Sequence, residues 1–87
     1  MPWSVEVSEP AEKDLATLPR RDREAIVRAL ERLGQDPTGS DLKKLRGRRA
    51  EWRLRVGRWR IILELDNRSG TIAVLRVRAR ARAYRGS

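Results

Sequence analysis

Glu51-Trp52-Arg53-Leu54-Arg55-Val56-Gly57-Arg58-Trp59-Arg60-Ile61-Ile62-Leu63-Glu64-Leu65-Asp66 is the stretch whose reading decides the fold. Its period is two. Trp52, Leu54 and Val56 share one side of an extended chain, and Glu51, Arg53 and Arg55 share the other. Gly57-Arg58 supplies a two-residue turn. Trp59, Ile61, Leu63 and Leu65 then continue the apolar side, opposite Arg60, Ile62, Glu64 and Asp66. The result is a β-hairpin with one buried and one open face. Trp59 alternates in phase with Ile61 and Leu63, so it reads as core.

Downstream, Asp66-Asn67-Arg68-Ser69-Gly70 is a second turn. From Thr71 the odd positions are Ala73, Leu75, Val77, Ala79, Ala81 and Ala83, while the even ones become Arg76, Arg78, Arg80, Arg82 and Tyr84. Unbroken alternation joins Arg76, Arg78 and Arg80 to Arg53, Arg55 and Arg60 on the open face. Ile62, Ile72 and Val74 are then interspersed there as apolar surface for bases or for a partner helix.

Upstream, Trp3-Ser4-Val5-Glu6-Val7 alternates as a short strand. Ser8 is placed to cap a helix whose first turn holds Pro10. Ala11, Leu15 and Leu18 repeat at helical spacing until Pro19 stops the helix. A second helix is expected from about Arg20 to Leu33, burying Ile26, Ala29, Leu30 and Leu33, with Gly34 as its C-cap. Gln35 to Gly39 reads as loop, and Ser40 to Leu45 as one further helical turn. The order β-α-α-β-β-β predicts an α+β fold, with an N-terminal strand and a helical hairpin on one face of a small, mainly antiparallel sheet.

The chain is 87 residues long and reads as a single domain, 1–87. It has no cysteine and no histidine. That excludes disulfides, thiolate nucleophiles, imidazole catalysis and the usual zinc and haem sites. No Asp/Glu cluster has ligand spacing, so no metal and no cofactor is expected. The longest apolar run is Ile72–Leu75 and no apolar leader follows Met1, which predicts a soluble, cytoplasmic protein without membrane contact.

Charge is polarised along the chain. Residues 1–41 carry 6 basic and 9 acidic side chains, whereas residues 42–87 carry 15 basic and 3 acidic. A basic half of this kind calls for a polyanion or an acidic protein as partner. Guanidiniums grip phosphate through paired N–H bonds and stabilise charge building up on phosphorus. The plain alternative is a solvated polar face. Against it, interspersed acids are scarce, and like charges opposite one another destabilise adjacent strands.

Without metal, thiol or imidazole, the phosphorus chemistry left is attack by the ribose 2′-OH of RNA itself. This needs a proton acceptor, cations around pentacoordinate phosphorus and a donor for the departing 5′-oxygen. Arginine meets the second need and not the first, because it stays charged. Tyr84 is the one tyrosine. A free phenol is roughly 0.1% ionised at pH 7, and nearby cations raise that fraction. Its alternative role is packing on Ala81 and Trp59.

Several blocks together resemble a known family. They are Trp3-Ser4-Val5, Ala11-Glu12-Lys13-Asp14-Leu15, Leu18-Pro19, Asp36-Pro37, Leu42-Lys43-Lys44-Leu45-Arg46-Gly47, Trp52 through Ile62, Val74-Leu75-Arg76-Val77, Arg80 and Tyr84-Arg85. The chain is similar over essentially its whole length to the RelE/ParE superfamily of type II toxin–antitoxin toxins, on the RelE side. The resemblance implies a microbial-ribonuclease-like fold and a ribosome-dependent mRNA endonuclease that cuts in the ribosomal A site. By position it implies that Arg53 and Arg55 contact the scissile phosphate, and that Arg60 clamps the transition state. It gives Arg80 the clamp or the leaving-group proton, and Tyr84 the role of base or stacking group. Arg46, Arg58, Arg76, Arg78 and Arg82 are further candidates for binding RNA phosphates.

The implied partners are a cognate acidic antitoxin, the ribosome with its mRNA and rRNA, and operator DNA through the antitoxin complex only. Ile62, Ile72 and Val74 are the candidate antitoxin contacts. The chain departs from the pattern at Ala79, where many relatives carry histidine, and at Arg53 and Arg55, where some carry lysine. Only Arg85-Gly86-Ser87 follow Tyr84, where a longer C-terminal helix can stand. These departures leave open a ParE-like inhibitor of DNA gyrase with no enzymatic activity, or an inactive RNA-binding member.

Overall fold

The alternation over residues 51–66 does fold into an antiparallel hairpin. A computed structural model describes residues 3–37, 42–44 and 51–79. Its elements are β1 (Ser4–Val7), α1 (Glu9–Ala16), α2 (Arg20–Gln35), β2 (Leu42–Lys44), β3 (Glu51–Val56), β4 (Trp59–Asp66) and β5 (Thr71–Ala79). Gly57 turns the β3–β4 hairpin at φ +57°, a conformation a side chain disfavours. The strands form one sheet in the order β1-β5-β4-β3-β2. Among the described strands, β1 and β5 alone pair in parallel, a pairing that needs a long crossover rather than a tight turn. The architecture is α+β, with the helical hairpin on one face of a mainly antiparallel sheet.

Local chemistry starts and stops the helices. The Ser8 hydroxyl accepts the Ala11 amide as N-cap, and Pro10 sits in the first turn, where its missing N–H is harmless. Ala11 and Leu15 of α1, with Ile26, Ala29, Leu30 and Leu33 of α2, close on Leu54, Ile61, Leu63, Ile72, Val74 and Val77 of the sheet. Trp59 packs against this core, half-buried.

Three expectations need correction. The segment beginning at Leu42 is not a helical turn: Leu42–Lys44 pairs antiparallel with Trp52–Leu54 as an edge strand. Gly34 does not cap α2, which continues to Gln35 and ends on Asp36. Gly34 instead lets the helix approach β1. Its carbonyl accepts the Trp3 amide at 2.6 Å, and a Cβ on it would stand 3.2 Å from the Trp3 carbonyl oxygen and 3.1 Å from Val5 Cγ2.

The third correction concerns Ile72 and Val74, expected on the open face and found fully buried. The alternation of β5 is broken. Leu63 pairs with Val74 but the neighbouring Ile62 pairs with Arg76, so Leu75 is an extra residue at a β-bulge. The bulge inverts the phase: Ile72 and Val74 face the helices, then Val77 does, while Arg76 and Arg78 face away. Burying an Ile and a Val side chain stabilises by about 3–6 kcal/mol together. Burying two unpaired guanidiniums to keep regular alternation would cost more.

Candidate functional site

The ladder register arranges the open face in rows across the strands. Arg55 of β3 stands opposite Arg60 of β4, which stands opposite Arg78 of β5. The adjacent row is Arg53, Ile62 and Arg76. Arg55 and Arg78 are exposed, while Arg53, Arg60 and Ile62 are half-buried. Arg58 is exposed in the hairpin turn beside them. Directly opposed like charges each cost on the order of several tenths of a kcal/mol relative to neutral pairs. The register thus sets three arginines side by side across β3, β4 and β5.

Arg76 is tied to the helical layer. Its Nε donates to Asp14 Oδ2 at 2.8 Å and its Nη2 to Asp14 Oδ1 at 3.1 Å, a two-point fork onto helix α1. The Val77 amide donates to the same Oδ2 at 2.9 Å. Asp14 thus takes the place of a neighbouring strand where β1 has ended. Just before it, the Ser8 amide donates to the Val74 carbonyl and the Ser8 hydroxyl to the Leu75 carbonyl. The edge of β5 beside the bulge is in this way satisfied by α1 and its cap. The Arg76 hydrogen bonds outweigh partial burial and, with the Val77 amide, hold the Asp14 carboxyl below its usual range, while Arg76 is raised. A guanidinium already forked onto a carboxylate is a poor phosphate ligand, so Arg76 is a structural cation here.

The structure therefore brings Arg53, Arg55, Arg60 and Arg78 onto one face, with Arg58 at its rim. Arg46, Arg80, Arg82 and Tyr84 lie outside the described residues. Of the expected apolar contacts only Ile62 is on this face. Apolar surface also occurs on the helix side, where Trp3, Val5, Val7, Leu15, Val27 and Leu30 line a groove of about 300 Å³. Among the described residues, the buried Trp59 Nε1 has no hydrogen-bond partner. No described helix is long and apolar enough to cross a membrane.

Sequence reasoning missed Asp14. Its signal was a carboxylate next to the buried Leu15, on a helix that must pack near an arginine-bearing strand. A family model described as the ParE toxin of type II toxin–antitoxin systems, parDE, matches residues 5–84. The chain belongs to that family. Among solved structures, the RelBE2 toxin–antitoxin complex of Mycobacterium tuberculosis is similar at 31% identity and TM-score 0.82, over 93% of this chain and 94% of that one. The archaeal RelE–RelB complex of Pyrococcus horikoshii OT3 is 24% identical with TM-score 0.81, covering 94% and 99%. The isolated RelE toxin of E. coli is 17% identical with TM-score 0.72, covering 97% and 95%, and shares the fold. Comparison with curated proteins gives no significant match. The chain is a type II toxin of the RelE/ParE superfamily.

Proposed function

We propose that this toxin is a ribosome-dependent endoribonuclease that cuts mRNA in the A site without a metal. The observation that supports it most is the Arg55–Arg60–Arg78 row with Arg53 beside it. In the proposed reaction the ribose 2′-oxygen bonds to the adjacent phosphorus and loses its proton. The bond from phosphorus to the 5′-oxygen then breaks, and that oxygen gains a proton. A 2′,3′-cyclic phosphate and a 5′-hydroxyl result. Negative charge peaks on the pentacoordinate phosphorus, where fixed guanidiniums stabilise it more than they stabilise the starting diester.

Arg60, at the centre of the row, is proposed as the transition-state clamp, with Arg53 and Arg55 on the scissile phosphate. Arginine holds its proton too tightly to act as base. That step is proposed for Tyr84, and for Arg80 a second clamp that hydrogen-bonds the departing 5′-oxygen while water supplies its proton, on the family resemblance. Purified ribosomes programmed with a short mRNA test the reading. The expected outcome is cleavage in the A-site codon, slowed by about 10²–10³ in Arg60→Ala. An intact message with the unaltered toxin refutes it.

A second reading has its own support, since the matching family model is described as a ParE toxin. In that case the chain inhibits DNA gyrase without cleaving RNA. A supercoiling assay that shows inhibition, alongside an uncut message, decides for it. Under either reading the proposed partner is a cognate antitoxin. The similar structures from M. tuberculosis and P. horikoshii are themselves toxin–antitoxin complexes. Ile62 and the helix-side groove offer the antitoxin apolar surface.

A further inference from the structure

Strand β5 outruns β1. Their parallel pairing ends at Val7 and Val74, whereas β5 continues to Ala79. Residues 75–79 begin with the bulge and meet a neighbouring strand on the β4 side alone. On the other side two groups of the helical layer stand in for a strand. The Ser8 hydroxyl donates to the Leu75 carbonyl at 3.1 Å, and Asp14 accepts the Val77 amide at 2.9 Å while it takes the Arg76 fork. Because the Val77 N–H points to Asp14, strand alternation turns the Arg78 N–H the opposite way, toward Arg60 of β4. Consecutive peptide groups of β5 are thus gripped from opposite sides, by α1 and by β4. The Arg78 side chain is exposed, and its charge reaches the same carboxylate.

Building on the ribonuclease reading, we infer that Asp14 is a positioning residue for the reaction: from α1 it fixes the β5 backbone that carries Arg78, and so sets where that guanidinium meets the RNA phosphate. It touches no RNA itself. Three N–H groups converge on a side chain that is only 19% exposed, so the carboxylate has little freedom to move. A fixed cation stabilises charge on phosphorus because it need not reorganise as the charge develops. A misplacement of about 1 Å costs up to ~10²-fold in rate. The same carboxylate occupies Arg76, which leaves Arg78 as the cation that the described part of β5 offers to phosphate. Without Asp14, the tie left on that side is Ser8, at the bulge itself.

Single-turnover cleavage on programmed ribosomes at saturating toxin removes ribosome affinity from the measured rate. Below the melting temperature of each variant, Asp14→Ala is expected to slow cleavage by about 10–10²-fold. In an Arg78→Ala background the same change is expected to slow it no further, because its target is gone. Losses that multiply, or a wild-type rate in Asp14→Ala, overturn the inference. Gly34→Ala, which perturbs the contact of α2 with β1, is expected to cleave at the wild-type rate; a matching loss there assigns the effect to stability and overturns it as well. Asp14→Asn keeps one acceptor and replaces Asp14→Ala in this cycle if the latter is unfolded, with the same pattern expected at a smaller size. An uncut message with the unaltered toxin overturns the ribonuclease reading and this role with it.

Hydrogen exchange reads the positioning without RNA. In Asp14→Ala the Arg78 amide is expected to exchange about tenfold faster or more, the equivalent of one lost bond to a charged group, and by a larger factor than the core amides of β4. Exchange that is unchanged, or raised equally throughout β4 and β5, overturns the positioning and leaves the ribonuclease reading standing.

Discussion

Asp14→Ala removes three bonds at once: the two from Arg76, at 2.8 and 3.1 Å, and the one from the Val77 amide at 2.9 Å. The guanidinium is exposed and returns to water with little penalty. The Val77 amide is part-buried on a strand edge that β1 no longer covers. Losing a bond to a charged acceptor there costs about 1.5–3 kcal/mol. In a domain of this size, each kcal/mol moves Tm by about 4–8 °C, so a drop of roughly 6–24 °C is expected. The effect should also depend on pH. The carboxyl is held below 3.8, so the folded state takes up its proton less readily than the unfolded state. The stabilisation is then complete above the unfolded value and vanishes as pH falls through the lower folded one. Urea melts of wild type and Asp14→Ala should differ fully at neutral pH and converge only below pH 3.8. Asp14→Asn keeps one carbonyl acceptor and should fall between them. A gap unchanged between neutral pH and strong acid refutes the argument that the ionised carboxylate closes the β5 edge.

Three further outcomes are expected. Ile72→Ala should cost about 2–5 kcal/mol in urea melts, and Ile62→Ala well under half of that, because the bulge buries the first and leaves the second on the open face; equal losses would deny the phase inversion. Gly34→Ala gains about 1 kcal/mol of helix propensity. It nevertheless presses a methyl onto the Trp3 carbonyl, which β1 pairing holds in place, so a lower Tm is expected and a higher one would count against the close approach. Arg78→Gln relieves repulsion from the opposing Arg60 and should raise stability by about 0.2–1 kcal/mol at low salt, a gain that shrinks in high salt. The same variant is expected to bind RNA less well, so any stabilisation comes at the expense of the site.

Much of the fold could be read locally. The hairpin around Gly57 needs only alternation and a turn residue, and the helices need only a cap, a proline and a buried stripe. Arg53, Arg55 and Arg60 were assigned to one face on the same grounds, and the register agrees. Reading failed where a contact distant in sequence decided the outcome. Regular alternation from Thr71 sent Ile72 and Val74 outward, because nothing within residues 71–79 shows that Leu75 is an extra residue. Three residues of β2 are too few to show a period. Gly34 resembled a helix stop because the strand it touches lies about thirty residues earlier in the chain.

The sequence by itself determined the two helices and the strands β1, β3, β4 and β5, the segregation of charge between the two halves and the one-sidedness of the β3–β4 hairpin, since each depends on neighbours within a few residues. Only the tertiary structure decided the remainder. It set β1 beside β5, which carries Glu6 into line with Glu64 and Glu51. It also brought Asp14 to the uncovered edge beside the bulge that turns Ile72 and Val74 inward. The physical reason is that strand order and bulges are chosen by the whole core at once. The apolar side chains of β5 must meet helices formed earlier in the chain, and the arginines occupy the positions that this burial leaves to water.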